Sequence, residues 1–86
     1  MTLAVNYEKL IKDLIHPLVV HPEDLMVKKF SEDDNMLTMQ VIVHQDDLGR
    51  VIGKNGRIAN AIRTICYASA SREGKKITIN IDSFEA

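Results

Sequence analysis

Between Val51 and Thr64 the chain reads VIGKNGRIANAIRT, two glycines around Lys54 and Asn55 with a helical pattern on either side. This junction constrains the fold more than any other stretch. Asp46 or Asp47 can cap a short helix over DDLGRVI, which the Gly53 region terminates. A longer helix starts after Gly56 and runs to about Ser71, where Arg72-Glu73-Gly74 breaks it. Two helix ends therefore meet at one spot. The second helix offers unpaired backbone N–H groups and a partial positive charge at its N-terminus. Glycines allow positive φ and let an anion approach without meeting a Cβ. Lys54 in the turn and Arg57 in the first helical turn add charge, an arrangement that favours a phosphodiester backbone.

The rest of the chain supplies the frame. Tyr7, Leu10, Ile11, Leu14, Ile15, Leu18 and Val19 follow the rhythm of one helical face. Asn6 suits the N-cap, and Pro17 predicts a kink or an end because its ring clashes with the preceding turn and lacks an N–H. Two strand-like runs follow, residues 25–31 and 36–44, joined by the polar Glu32-Asp33-Asp34-Asn35 and read as an antiparallel hairpin. Leu37, Met39, Val41 and Val43 form an apolar face on the second run. Residues 75–82 form the last strand, with Ile77, Ile79 and Ile81 on one face. The order is α-β-β-α-α-β. A helical connection of about 30 residues between the second and third strands predicts a parallel crossover, hence an α+β domain with a mixed three-stranded sheet.

With 86 residues there is room for a single domain, residues 1–86, with a core over about 6–82 and a short tail, 83–86. A domain this small buries only ~60% of its unfolded surface, so grooves and interfaces are its natural working surfaces. No apolar run approaches the ~20 residues of a membrane span, and MTLAVNYEKL lacks the parts of a signal peptide. Cys66 is the single cysteine and cannot form an internal disulfide. A cytoplasmic chain with no membrane contact is expected. The net charge of −1 hides a division. Residues 50–76 carry seven basic side chains against Glu73 alone, +6, whereas residues 1–49 carry four basic and nine acidic, −5. The basic half contains the glycine turn.

Competing chemistries fit poorly. A phosphate-binding NTPase loop would need its first glycine one residue before Gly49 and a Ser or Thr where Asn55 stands. His16, His21 and His44 lack compact metal-ligand spacing and read as surface or capping residues, so neither metal nor cofactor is expected. Cys66 reads as a packing thiol. The pairs Asp33-Asp34 and Asp46-Asp47 suit a turn and a helix start, and no catalytic constellation stands out, so an enzyme is not expected.

An isoleucine followed by Gly-x-x-Gly between two helices, in an α-β-β-α-α-β chain, resembles a type II KH domain. More narrowly, VIGKNGRIANAIRT in a chain this short is similar to the small bacterial KhpA-type RNA-binding proteins, over nearly the whole length. The GxxG loop of KH modules clamps the backbone of about four nucleotides. The resemblance implies a clamp at Gly53, Lys54, Asn55 and Gly56, with Arg57 and Arg50 as further contacts. Val51, Ile52 and some of Ile58, Ala59 and Ile62 would form the wall of the base groove or the core beneath it, with Ile52 and Ile58 the expected contacts. Lys75 and Lys76 would form the opposite rim. Many KH domains carry a bulky aliphatic residue three positions after the second glycine, where this chain has Ala59.

The resemblance also implies self-association and a larger multidomain KH-containing RNA-binding partner. The small-residue helix after Gly56 is the expected interface, through Ala59, Ile62, Arg63, Cys66, Tyr67 and Ala70. The expected function is single-stranded RNA binding of low specificity, as a chaperone or post-transcriptional regulator. The alternative is an adaptor that dimerises and recruits. The four aromatic residues are too few for a base-stacking sheet.

Overall fold

The computed structural model describes residues 5–84. Of the expected tail, residues 85–86 lie outside the described residues, as does the start of the N-terminal segment read for a signal peptide. Helix α1 spans Tyr7–Ile15, and the hairpin strands β1 and β2 span Met26–Glu32 and Met36–Val43. Helices α2 (Gln45–Ile52) and α3 (Arg57–Arg72) follow, then strand β3 (Lys76–Ser83). The expected order is met throughout. β1 pairs antiparallel with β2, and β2 pairs parallel with β3, so the sheet is mixed in the order β1-β2-β3.

Alternation along β2 decides where the core lies. Leu37, Met39, Val41 and Val43 are buried while the residues between them are half-buried. Ile77 and Ile79 of β3 join that face, against Ile11 and Ile15 of α1, Val51 of α2, and Ile62 and Cys66 of α3. All three helices therefore cover one face of the sheet. Ile81, expected with Ile77 and Ile79, is only partly buried at the core's margin.

Local chemistry sets the element ends. Asn6 Oδ1 accepts from the Lys9 N–H at 3.1 Å, as its N-cap position predicts. The α-helical pattern stops at Ile15 and tightens into a 3-10 turn, His16–Leu18, around Pro17. In the hairpin, Asp33 Oδ1 accepts from the N–H groups of Asn35 and Met36, each at 2.8 Å. Those two bonds hold the Asp33 carboxyl below its ordinary pKa. The β1–β2 register shifts between Lys29 and Ser31, a bulge that leaves Phe30 72% exposed.

One expectation fails at the start of α2. Neither Asp46 nor Asp47 is the cap: the N-cap is His44, whose Nδ1 accepts from the Asp46 N–H at 3.0 Å. Asp47 lies one turn in and is fully buried, its carboxylate accepting from the Val20 N–H at 3.0 Å and the His21 N–H at 2.9 Å. It ties the α1–β1 connection to the helix that leads into the glycine turn.

Candidate nucleic-acid interface

Gly53 ends α2 with φ 77° and ψ 171°, its N–H donating to the Gly49 carbonyl at 2.8 Å. Lys54, Asn55 and Gly56 then form a single 3-10 turn, closed by the Gly56 N–H on the Gly53 carbonyl at 3.1 Å. Asn55 has φ 58° and Gly56 has φ 75°. Three residues in four, Gly53, Asn55 and Gly56, therefore have positive φ, and the last two are left-handed. Gly53 is doubly constrained, because a Cβ there would sit 2.7 Å from Ile58 Cγ1. At Gly56 a Cβ would have room, so the positive φ alone selects glycine.

This turn leaves Lys54, Asn55 and Arg57 exposed together at the start of α3. No side chain caps α3: its N-cap is Gly56, which has none to offer. The first-turn N–H groups and the helix dipole therefore face the same exposed corner as the two cations. Ile52 and Ile58, the expected groove aliphatics, are half-buried beside the turn. Arg50 lies on the last turn of α2 and spends one N–H on its own helix, with Nη1 donating to the Asp46 carbonyl at 3.2 Å.

The two lysines of the expected rim part company. Lys75 Nζ pairs with Glu32 Oε2 at 3.2 Å, and Glu32 also pairs with Lys29 at 2.8 Å. Lys76 is exposed and makes no ion pair among the described residues. It stands at the head of β3, the edge strand, beside the C-terminal third of α3.

Helix α3 sorts the expected interface residues in an unexpected way. Ala59, Ile62, Cys66 and Ala70 are all buried, and the last three pack into the core against this chain's own sheet. Burial also pushes the Cys66 thiol pKa up, consistent with a packing role. Arg63 turns to the sheet edge, where its Nε and Nη2 donate to the Ile79 carbonyl at 3.3 and 3.2 Å. Tyr67, one turn on, shares that flank and is 47% exposed. The opposite flank exposes Ala61, Ile65 and Ala68, apolar residues of the same helix that lie outside the expected interface set. Their spacing of four and three residues is the signal that marks them as one face.

The histidines come closer together than their spacing suggests. The rings of His21 and His44 stack with centroids 3.9 Å apart, and Asp46 Oδ2 lies 3.5 Å from His21 Nε2 and 3.6 Å from His44 Nδ1. Because His44 Nδ1 already serves as the α2 cap, the capping role expected for one histidine is the one observed.

A mixed three-stranded sheet in α-β-β-α-α-β order, with a GxxG turn between its second and third helices, is a type II KH domain. A family profile described as KhpA/KhpB, KH domain, matches residues 8–81. The chain belongs to that family. It is 50% identical over 74 residues to the RNA-binding protein KhpA of Listeria monocytogenes, covering 86% of this chain and 96% of that one. It is 42% identical over 76 residues to the KhpA of Bacillus subtilis, covering 88% and 93%. With the KhpA of Clostridium perfringens the identity is 38% over 74 residues, covering 86% and 97%. No solved structure matches. The family is one of RNA-binding domains, not of enzymes. Among the described residues no helix is long and apolar enough to cross a membrane.

Proposed function

We propose that this chain binds single-stranded RNA by seating backbone phosphate on the Lys54–Gly56 turn. The observation that carries the reading is the uncapped α3 N-terminus behind two positive-φ glycines, with Lys54 and Arg57 exposed at the same corner. The RNA-binding names of the relatives support it. Contacts to backbone carry no sequence information, so binding is of low specificity, suited to a chaperone or a post-transcriptional regulator. On this reading the strand leaves the turn past Ile52 and Ile58 and runs towards the β3 edge, where Arg63 is held.

The test replaces Lys54 and Asn55 together with aspartate. Aspartate tolerates the left-handed region, so the turn survives while its charge reverses. RNA affinity is expected to fall by more than tenfold with an unchanged fold. Unaltered affinity would sink the clamp.

A second reading rests on the other flank of α3. Ala61, Ile65 and Ala68 form an exposed apolar strip suited to close helix approach, in a second copy or in a larger KH-containing partner. On this reading the chain is also an adaptor. Ile65→Asp is expected to abolish dimers in light scattering while leaving the core intact, and dimers that survive it would move the interface elsewhere.

A further inference from the structure

At the far end of α3 from the glycine turn lies a shallow concavity of about 340 Å³, lined by Met36, Tyr67, Ser71, Lys75, Lys76 and Ile77. Its size falls in the range of small-ligand clefts, ~300 Å³ and upward. Its wall is mostly apolar: the Tyr67 ring, the Met36 thioether and Ile77. Met36 is itself positioned, since the Thr78 hydroxyl donates to its sulfur at 3.4 Å. At the rim stands Lys76, free of any ion pair among the described residues, whereas Lys75 is held by Glu32. Arg63 lies one helical turn back towards the clamp.

We propose that this concavity is a nucleobase subsite, where one base of the bound strand stacks on Tyr67 over Met36 and Ile77 while Lys76 takes its phosphate. The proposal rests on reading the GxxG turn as the phosphate clamp, and it adds a second anchor about 15 Å further along α3, ten residues at ~1.5 Å each. Charge selects the occupant. The Tyr67 flank carries Arg63 and Lys76, which would repel their own copies across a symmetric contact but attract a polyanion. The apolar strip of Ala61, Ile65 and Ala68 lies on the opposite flank. A tyrosine half-exposed over an apolar floor offers a face on which a base stacks whatever its identity.

The experiment measures affinity for oligouridylates of two to eight nucleotides by NMR titration, with light scattering on the same samples. The proteins are the unaltered chain, Tyr67→Ala, Tyr67→Phe, and the Lys54→Asp/Asn55→Asp double variant. Tyr67→Ala is expected to weaken octamer binding by about 5- to 150-fold, the usual range for losing one base–aromatic stack. Dinucleotide binding stays unchanged, because a dinucleotide is too short to span both anchors. Tyr67→Phe should behave as the unaltered chain. An octamer affinity untouched by Tyr67→Ala overturns the subsite, as does an equal loss at both lengths. Loss of dimers with RNA affinity unchanged would give the surface to a second copy and also overturn it. The double variant separates the two readings. If it keeps octamer binding that Tyr67→Ala loses, the clamp fails and the subsite stands; if the unaltered chain binds no oligomer, both fail.

Discussion

Asn55 is the one non-glycine residue with positive φ among the described residues, and it stands where the turn must reverse. Left-handed backbone costs most L-residues about 1–2 kcal/mol, and asparagine less, because its short amide can bond locally. Asn55→Gly should therefore leave stability within about 0.5 kcal/mol, while a β-branched Asn55→Val should lose about 1–2 kcal/mol in urea unfolding. Gly53 has no such latitude. Its φ of 77° and the 2.7 Å approach to Ile58 both oppose any side chain, so Gly53→Ala should either shift Ile58 or distort the turn. Asp47 tests a different physics. Burial raises its carboxyl pKa, but bonds from the Val20 and His21 N–H groups, with the charges of His21 and Arg50, outweigh that and leave it below the ordinary value. A carboxyl depressed in the fold stabilises above its unfolded pKa, about 3.9, and that contribution is lost as pH falls through the folded value. The stability gap between the unaltered chain and Asp47→Asn should thus be full at neutral pH. It should shrink below about pH 4 in thermal unfolding followed by circular dichroism. A gap that stayed constant down to pH 2 would mean that the charge of Asp47 contributes nothing.

At the scale of elements, α2 depends on His44 for its cap, and His44→Ala should destabilise by about 1 kcal/mol, within the usual 0.5–2 for a lost N-cap. The sequence points instead to the neighbouring aspartates, since histidine is not a preferred capping type and Asp46-Asp47 is. What decides the matter is remote: the N–H groups of Val20 and His21, 27 and 26 residues away, need a buried acceptor, and Asp47 is drawn in to supply it. Long-range polar satisfaction leaves no local trace in the chain. The strands, by contrast, were legible to within a residue or so, because alternation is a local signal that one buried face enforces. Helix α3 shows the same limit from another side. A period of 3.6 marks Ala59, Ile62, Cys66 and Ala70 as one stripe, but a stripe does not say whether a sheet or another molecule covers it. Here the sheet does, so Ile62→Ala should cost about 2–5 kcal/mol as a core truncation, with no separate effect on association. The turn itself was legible at its two glycines, which are written in the sequence, though not at Asn55, whose left-handed φ the motif does not mark.

For the whole molecule, the charge division takes on a direction. The positive half of the sequence folds into the end of α2, the glycine turn, α3 and the head of β3, while the acidic half supplies α1, the hairpin and the start of α2. Folding also removes some of those cations from service. Lys75 is neutralised by Glu32, from the acidic half, and Arg63 is partly engaged by a backbone carbonyl. Lys54 and Arg57 at the glycine turn and Lys76 at the head of β3 remain exposed. If about three phosphates are neutralised, log K should fall with log salt at a slope near −2, from about −0.7 per phosphate on a single strand. The two adjacent lysines then give a sharp test of the geometry, because composition cannot tell them apart. Lys76→Ala should weaken RNA binding and flatten the slope by about 0.7, the share of one phosphate contact. Lys75→Ala should leave both nearly unchanged, and its stability loss should be small, since an exposed ion pair contributes ~0–1 kcal/mol. Titrations of a labelled oligonucleotide at several salt concentrations read both quantities from the same samples. Equal slopes for the two variants would mean that Glu32 releases Lys75 when RNA arrives, and that the whole β3 head, rather than Lys76 alone, faces the strand.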